Sequence, residues 1–408
     1  MVNFNNFAAI IAAIGIAPFA AAAPARQAGS VPDVEGKFVV TLKSGITARE
    51  VDSHMKWVDN VHKRSLGRRD TAGVEREYSI GSFHGYSGHF DESTIKELNS
   101  SSEARWPPQP VINVEPEQIY TLDGLTTQLD APWGLASMSS RTAGSSVYMY
   151  DTTAGEGTYA YIIDSGINVD HEEFEGRVYQ GHNAIGGDFE DTSGHGTHVA
   201  GIVGGKTFGV AKRAGIIDVK VFSGSSTTTS IILEGYQWAV NDIIYNRRQS
   251  RAVINMSLSG GASAAYNDAV AAAFEAGVLT VVAAGNNRAP ASTRSPASAP
   301  QAITVGAVDA SWREAAYSNY GDVVDVLAPG SRIPSASFES NVAVATHSGT
   351  SMAAPHVAGL ALYLAALENI NDPVSLTARI LELATAGATT FNEGTPSLVA
   401  FNGVVSGK

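Results

Sequence analysis

The chain has 408 residues, of which 44% are hydrophobic and 16% charged, a composition typical of a folded protein rather than a disordered one. The formal net charge of −13, with no strongly basic stripe, argues against sequence-independent binding to nucleic acid. The chain contains no cysteine, which excludes disulfides, thiolate nucleophiles and cysteine metal sites.

The N-terminal segment predicts a secretory signal peptide. The first 25 residues carry no charged side chain, and an apolar run over residues 7–16 is followed by alanines at 20–23. We therefore predict a signal peptide of residues 1–23 and a secreted, extracellular protein. The alternative is an uncleaved membrane anchor, but the run is short for a bilayer span and is interrupted by Gly15 and Pro18. No later segment predicts a membrane span.

Residues 35 to about 120 form a block with its own α/β pattern. Thr47 and Glu50 have the spacing of a capping box, and Asp91 precedes a second, shorter helical segment. The pattern predicts, in order, a strand at 37–43, a helix from 47 to about 66, a hairpin of strands at 74–80 and 83–91, a short helix and a strand at 111–119. This βαββαβ order predicts a small α/β sandwich.

From residue 158 onward, short apolar runs alternate with amphipathic stretches. The predicted strands are 159–163, 218–222, 252–257 and 279–283, and the clearest helices are 230–248 and 263–276. Such alternation predicts a parallel sheet covered by helices on both faces. In sheets of this kind, functional groups lie in the crevice at the carboxyl ends of the strands.

Three segments place a reactive side chain between small residues at the end of a predicted element. Asp164 closes a strand, His195 opens a helix, and Ser351 lies at the N-terminus of a long apolar helix. A serine nucleophile needs an imidazole to take its proton and a carboxylate to orient that imidazole. We therefore predict Asp164, His195 and Ser351 as a catalytic triad. Asn286, at the end of another strand, is the predicted oxyanion donor, together with the backbone N–H of Ser351.

These segments resemble those of the subtilases, and in particular the proteinase K type secreted by fungi. The matching motifs are Asp164-Ser-Gly, Gly194-His-Gly-Thr-His and Gly349-Thr-Ser-Met-Ala-Ala-Pro-His. The resemblance implies a three-layer α/β sandwich with a mainly parallel, subtilisin-like sheet, preceded by a small ferredoxin-like α/β propeptide domain. The implied organisation is a signal peptide at 1–23, an inhibitory propeptide at 24–125 with its folded part at about 35–120, and a peptidase domain at 126–408.

The resemblance also implies a function: a monomeric serine endopeptidase of broad specificity that prefers bulky apolar or aromatic P1 residues. Its propeptide acts as an intramolecular inhibitor and chaperone, and is removed by self-cleavage between Tyr120 and Thr126. The implied substrate-binding residues are Gly224, Ser257, Leu258, Ser259, Gly260, Ala283, Ala284 and Gly285. Two of these positions depart from the family pattern, because Ser259 replaces the usual Gly and Gly224-Ser-Ser replaces Gly-Ser-Gly.

A structural calcium ion is a further implication of the resemblance. Its ligands are the carbonyl oxygens of Pro300 and Ala302 and the carboxylate of Asp325, and oxygen donors of this kind suit calcium. The alternative interpretation of Asp325 is an ordinary carboxylate at the end of a strand.

Two other functions were weighed. A serine esterase of the α/β-hydrolase type requires a Gly-x-Ser-x-Gly elbow and the chain order Ser, Asp, His, and the sequence has neither. A catalytically silent peptide-binding scaffold is the remaining alternative, although no triad residue is replaced. Asn99 and Asn255 match the glycosylation pattern, and Asn255 lies in a predicted buried strand, where we expect no modification.

Overall fold

The computed structural model describes residues 36–65, 72–100, 110–117 and 124–404. They divide into two compact units, a smaller one up to residue 117 and a larger one from residue 124. The predicted signal peptide lies outside the described residues. So do residues 118–123, which contain most of the predicted processing segment.

The smaller unit is a four-stranded antiparallel sheet with two helices. Its elements are β1 (Lys37–Leu42), α1 (Ala48–Ser65), β2 (Gly73–Ile80), β3 (Phe83–His89), α2 (Glu92–Ser100) and β4 (Val111–Pro116). The strands are ordered β2-β3-β1-β4, so the predicted βαββαβ arrangement is confirmed. The last strand ends at Pro116, earlier than predicted.

Both helices of the smaller unit begin at the predicted capping residues. The Thr47 backbone N–H donates to Glu50 Oε2 at 2.8 Å, and the Glu50 N–H donates to Thr47 Oγ1 at 3.4 Å, which completes a capping box. At α2, Asp91 Oδ1 accepts the Thr94 N–H at 2.9 Å. Between the helices and the sheet lie the buried side chains of Val40 and Tyr86.

The larger unit is built around a nine-stranded sheet ordered β18-β19-β15-β14-β12-β10-β7-β9-β8. Its pairs are parallel except the terminal β18–β19 pair. The sheet strands are β7 (Tyr159–Asp164), β8 (Val178–Asn183), β9 (Gly215–Lys220), β10 (Ala252–Met256), β12 (Leu279–Ala283), β14 (Ile303–Val308), β15 (Val326–Pro329), β18 (Thr385–Ala386) and β19 (Leu398–Val399).

Shorter strand pairs and six helices complete the larger unit. The paired strands are β5 (Leu125–Gln128) with β6 (Tyr148–Asp151), β11 (Gly260–Gly261) with β13 (Arg294–Ser295), and β16 (Ile333–Ala336) with β17 (Val344–His347). The helices are α3 (Trp133–Ser137), α4 (His195–Gly204), α5 (Thr229–Tyr245), α6 (Ala264–Glu275), α7 (Thr350–Glu368) and α8 (Pro373–Leu383).

Alternating side chains of the central strands supply two separate cores. Ile162 and Val281 pack in the cluster that includes α4 and α7, whereas Tyr161 and Val282 pack in the cluster that includes α5 and α6. A sheet buried on both faces in this way explains why its strands appear as continuous apolar runs in the sequence. The predicted three-layer sandwich is confirmed. Strand β9 starts three residues earlier than predicted, because Gly215 and Ile216 already pair with β7.

Helix α7 carries the segment that contains Ser351, and most of its side chains are apolar. It is long and apolar enough to pass a test for membrane spans, but 83% of its most apolar window is buried inside the protein. Its apolar composition is therefore accounted for by its position in the core.

The core packing of α7 predicts a position-dependent loss of stability. Leu364 is completely buried, whereas Leu367, one turn further along, is 38% exposed. We expect Leu364→Ala to lower the free energy of unfolding by about 2–5 kcal/mol, because the lost contacts leave a cavity. The matched change Leu367→Ala should cost about 1 kcal/mol or less. Urea-induced unfolding measures both values, and equal losses would contradict the assigned packing.

Candidate active site

Asp164 is held at the carboxyl end of β7 in a buried turn. The residue is 3% exposed, and its backbone carbonyl accepts the N–H of Val221 from the chain that follows β9. Lys220, at the end of β9, donates its ammonium to the carbonyls of Ser165 and Glu190, the latter at 2.8 Å. These bonds fix the turn that follows the strand and direct the Asp164 carboxylate towards α4.

His195 is the first residue of α4, and Asp191 holds the start of that helix. Asp191 Oδ1 accepts the backbone N–H groups of Ser193 and Gly194 at 3.0 and 2.8 Å, and its Oδ2 accepts the N–H of Thr197 at 3.0 Å. A buried carboxylate here satisfies N–H groups that have no partner within the helix. Our sequence analysis did not identify Asp191, although an aspartate shortly before a helix start is a recognisable capping signal.

Asp164 and His195 form a short hydrogen bond. His195 Nδ1 lies 2.8 Å from Asp164 Oδ1 and 3.0 Å from Oδ2, and the imidazole side chain is 35% exposed. Burial lowers the pKa of His195, but the charge of Asp164 and its hydrogen bond raise it more, so the net pKa lies above the ordinary value. With Nδ1 bound to the carboxylate, Nε2 is the ring nitrogen that remains for other chemistry.

Ser351 is the second residue of α7, and its hydroxyl faces the segment after β10. Ser351 Oγ donates to the Ser257 carbonyl at 3.1 Å, and Ser257 Oγ donates to the Ser351 carbonyl at 2.8 Å. Within residues 124–404 no hydrogen bond joins Ser351 to His195. Hydrogen bonds of catalytic groups are often absent or long before substrate binds, so this geometry is compatible with a nucleophile at rest.

The side-chain amide of Asn286 is oriented by the residue that precedes Ser351. Asn286 Oδ1 accepts the backbone N–H of Thr350 at 2.8 Å and the Thr350 hydroxyl at 2.9 Å. Thr350 Oγ1 in turn accepts the Gly285 N–H at 3.0 Å. Because the Asn286 amide oxygen already accepts two hydrogen bonds, the Nδ2 donor of this exposed side chain is left to bind a ligand. Thr350 was not identified from the sequence.

One cleft of about 360 Å³ brings the predicted catalytic residues together. Asp164, His195, Asn286 and Ser351 all line it. Six of the predicted substrate-binding residues line the same cleft: Gly224, Ser257, Leu258, Ser259, Ala283 and Gly285. The lining also contains residues that the sequence analysis did not assign: Ser165, Ser193, Phe222, Ser225, Asn287 and Thr350.

Gly260 and Ala284 do not line the cleft. Gly260 pairs with Ser295 in the short β11–β13 ladder, so its backbone is engaged outside the cleft. Ala284 is completely buried, and its carbonyl accepts the Asn319 side-chain N–H at 2.8 Å. Both assignments were implied by the family resemblance, and the contacts of each residue lie away from the cleft wall.

Asn319 shapes the loop that carries Asn286. Besides its bond to Ala284, its Oδ1 accepts the backbone N–H groups of Asn287 and Ala289 at 3.0 and 3.1 Å. A single buried amide therefore holds three backbone groups on both sides of Asn286. The sequence analysis gave Asn319 no role, because its partners lie about 30 residues away in the chain.

Two other histidines near these motifs have structural partners. His198 is buried, its Nε2 lies 3.1 Å from the Ile333 carbonyl, and burial lowers its pKa to about 3. His356 is buried within α7, with Nδ1 2.8 Å from the Met352 carbonyl, and burial lowers its pKa to about 4. Both imidazoles are therefore neutral at ordinary pH, and neither lines the cleft.

The predicted calcium ligands lie around the start of β14 and β15. Asp325 Oδ2 accepts the Thr304 N–H at 2.7 Å, and burial raises the pKa of Asp325 to about 6. No Lys, Arg or His within residues 124–404 forms an ion pair with this carboxylate. The described residues contain no group of three His, Cys, Asp or Glu side chains arranged to hold a metal, so such a site depends on backbone carbonyls.

Comparison with known proteins matches each of the two units to a family profile. The subtilase family profile matches residues 155–398, and the peptidase inhibitor I9 profile matches residues 37–123. The chain is 52% identical over 395 residues to Alkaline protease 1 of Aspergillus flavus, covering 95% of this chain and 96% of that protein. It is 49% identical over 415 residues to an alkaline proteinase of Hapsidospora chrysogena, covering 99% of both chains.

A solved structure shows the same fold. The crystal structure of a cold-adapted subtilisin-like serine proteinase is 40% identical, with a TM-score of 0.62, and the match covers 67% of this chain and 98% of that one. The chain therefore belongs to the subtilase family: it is a subtilisin-like serine protease that carries an inhibitory I9 domain ahead of its peptidase domain.

Proposed function

We propose that this protease is a secreted endopeptidase that cleaves proteins through an acyl-enzyme formed on Ser351. The observation that carries the proposal is the convergence of the Asp164–His195 hydrogen bond, the Ser351 hydroxyl and the Asn286 amide on one cleft. These are the groups that acyl transfer requires: a nucleophile, an oriented base and a donor for the oxyanion. The predicted signal peptide supports secretion.

Each of these groups has a defined role in the reaction. His195 Nε2 takes the proton of Ser351 Oγ as that oxygen attacks the scissile carbonyl, and Asp164 stabilises the imidazolium that forms. The Asn286 Nδ2 and the Ser351 backbone N–H donate to the oxyanion, a type of contact worth about 10²–10³ in rate per donor. His195 then protonates the leaving amine. Water hydrolyses the acyl-enzyme in the same way, with His195 first accepting the proton of the water and then returning it to Ser351 Oγ.

The first step requires the Ser351 hydroxyl to change its partner. In the structure it donates to the Ser257 carbonyl, whereas attack requires it to donate to His195. A rotation about the Cα–Cβ bond of serine achieves this without any movement of the backbone. The substrate triggers it by engaging the backbone of the Ser257–Ser259 segment as an added antiparallel strand.

Two walls of the cleft form the pocket for the P1 side chain. One wall is the Ser257–Ser259 segment, and the other is formed by Ala283 and Gly285. Small residues on the second wall leave space for a bulky apolar or aromatic P1 residue, which is the preference we propose. The edge at Gly224 and Ser225 binds the substrate from the opposite side. Gly260 and Ala284 have no part in this pocket.

We also propose that the enzyme removes its own propeptide. The I9 domain precedes the peptidase domain, and the bonds between Tyr120 and Thr126 lie next to the boundary between the two compact units. Three residues of this segment, Tyr120, Leu122 and Leu125, are bulky and apolar and fit the proposed P1 preference.

Active-site labelling and a serine variant test the proposal together. A fluorophosphonate should modify Ser351 of the mature enzyme, as shown by peptide mapping. Ser351→Ala should abolish labelling and leave a precursor of full propeptide length, whereas Ser348→Ala, three residues away, should label and mature normally. Labelling at another residue would refute the mechanism, and efficient maturation of purified Ser351→Ala expressed alone would refute self-processing.

The raised pKa of His195 makes a prediction about pH. His195 acts as a base only when neutral, so kcat/KM should fall as pH decreases through its pKa, which lies above the ordinary histidine value. Asp164→Asn should lower kcat by about 10⁴-fold, because the amide favours the wrong tautomer of the imidazole. It should also move the acid limb to lower pH, since the carboxylate that raises the pKa is gone.

The pH–rate profiles of the two proteins measure both effects. The control is Asp188→Asn, which makes the same charge change at an exposed position outside the cleft and should retain the wild-type profile. An acid limb of Asp164→Asn that coincides with the wild-type limb would show that the Asp164–His195 contact does not set the profile.

We further propose that Asp325 binds a structural calcium ion with the carbonyl oxygens of Pro300 and Ala302. A half-buried carboxylate with no cationic partner in residues 124–404 supports this, because burial of an unpaired negative charge is unfavourable and a bound cation offsets that cost. The all-oxygen donor set suits calcium. The ion would contribute stability and take no part in the chemistry.

Chelation should therefore shorten the lifetime of the enzyme more than it lowers the initial rate. We expect thermal inactivation to be faster in excess chelator for the wild type, and fast but insensitive to chelator for Asp325→Asn. Asp322→Asn, an exposed neighbour, is the matched control and should respond like the wild type. A wild-type half-life that chelator leaves unchanged would contradict the site.

A further inference from the structure

Gly124, at the start of the peptidase unit, lies against a carboxylate. Its φ is +113°, a conformation that side chains rarely adopt, and a Cβ at this position would lie 2.6 Å from Asp151 Oδ2. The positive φ therefore favours glycine at this position. The close approach also means that the Asp151 carboxylate reaches the backbone of residue 124, immediately after the segment in which processing is expected.

Strand pairing fixes this contact in place. Leu125 is opposite Asp151 in the β5–β6 ladder, and the Thr152 N–H donates to the Gly124 carbonyl. The start of β5 therefore lies beside Asp151 whenever this ladder is formed.

One oxygen of the Asp151 carboxylate has no partner. Asp151 Oδ1 accepts the Thr153 N–H at 2.9 Å, whereas Oδ2 has neither a hydrogen bond nor an ion pair within residues 124–404. The cationic side chain of Arg213 donates to the neighbouring Thr152 carbonyl and pairs with Glu156 at 3.0 Å. Tyr363 of α7, whose hydroxyl accepts the Asp151 backbone N–H at 2.9 Å, is not cationic.

We propose that processing creates the missing cation: hydrolysis of the peptide bond before Gly124 releases its α-amino group, which then binds Asp151 Oδ2. Water supplies the hydroxyl of the new propeptide carboxyl group and a proton to the departing nitrogen, so the products at neutral pH are a carboxylate and an ammonium. The inference rests on the proposed self-processing and specifies the bond. The ion pair exists only in the mature enzyme.

Geometry and charge both support the α-amino group of Gly124 as the partner of Asp151 Oδ2. The nitrogen and a Cβ are each one bond from Cα, so once the preceding peptide bond is cut, rotation about the Cα–C bond of Gly124 by roughly 120° carries the nitrogen to the position at which a Cβ would lie 2.6 Å from Asp151 Oδ2. In the precursor the same nitrogen is an uncharged amide. The residue before the bond is Asp123, which does not fit the proposed P1 preference. A bond delivered by its own chain has a high effective concentration, so it can be cut without the P1 residue preferred in free peptides.

The ion pair has a definite pH dependence. The α-amino group has an ordinary pKa of about 7.7–8.0, and a carboxylate partner raises it in the folded state. A group with a raised pKa in the folded state contributes stability that is fully present below its unfolded pKa and is lost as pH rises through the folded pKa. The contribution of Asp151 should therefore be present at pH 7 and disappear by about pH 10.

The test compares Asp151→Asn in the mature enzyme and in the precursor. N-terminal sequencing of the mature wild type should give Gly124 as the first residue. In enzyme inhibited with a fluorophosphonate, Asp151→Asn should lower Tm by about 1–3 °C at pH 7, and the difference should vanish by about pH 10. In the unprocessed Ser351→Ala precursor, Asp151→Asn should leave Tm unchanged at both pH values.

A matched variant separates this effect from a general loss of charge. Glu156→Gln removes the ion pair to Arg213, which both forms of the protein contain, so any change in Tm should be equal in mature enzyme and precursor. Another mature N-terminus, or an Asp151→Asn effect of the same size in both forms, would overturn the inference while leaving the proposed function intact. Failure of the wild type to mature or to label would instead count against the proposed function.

Discussion

The hydrogen bond between Asp164 and His195 depends on the parallel sheet and on two loops that follow its strands. Asp164 ends β7, and His195 begins a helix that packs on the same face of the sheet as α7. Both residues are fixed in position, because Lys220 holds the turn after β7 and Asp191 holds the start of α4. The orientation of the predicted base is thus a property of buried charged groups below the cleft.

The oxyanion side of the cleft is coupled to the nucleophile in a similar way. The bond from Thr350 to Asn286 means that the start of α7, which carries Ser351, also sets the direction of the Asn286 amide. Asn319 holds the other side of the same loop. A displacement of α7 would therefore move the nucleophile and the oxyanion donor together. The extensive burial of α7 accordingly protects the geometry of the site as well as the stability of the fold.

The sequence predicts local features well. The capping box at Thr47, the cap at Asp91 and the apolar strands follow from short-range rules, and the motif order predicts which residues meet in the cleft. Features that depend on distant contacts were missed or misplaced. The partners of Asn319 are about 30 residues away, and the orientation of Ala284 follows from a backbone turn that residue type does not specify. The rotamer of Ser351 likewise depends on a carbonyl 94 residues earlier.

Because the chain contains no cysteine, non-covalent contacts alone hold the peptidase unit together. A protease must resist unfolding, since unfolded chains are substrates for the folded ones. Without disulfides, the ends of the peptidase unit are held by non-covalent contacts. Arg141 donates to the Leu383 carbonyl at 2.7 Å and stacks on Phe401 near the C-terminal end, while β5 pairs with β6 at the other. A cation that appears at Gly124 only after processing would strengthen the N-terminal end in the active form.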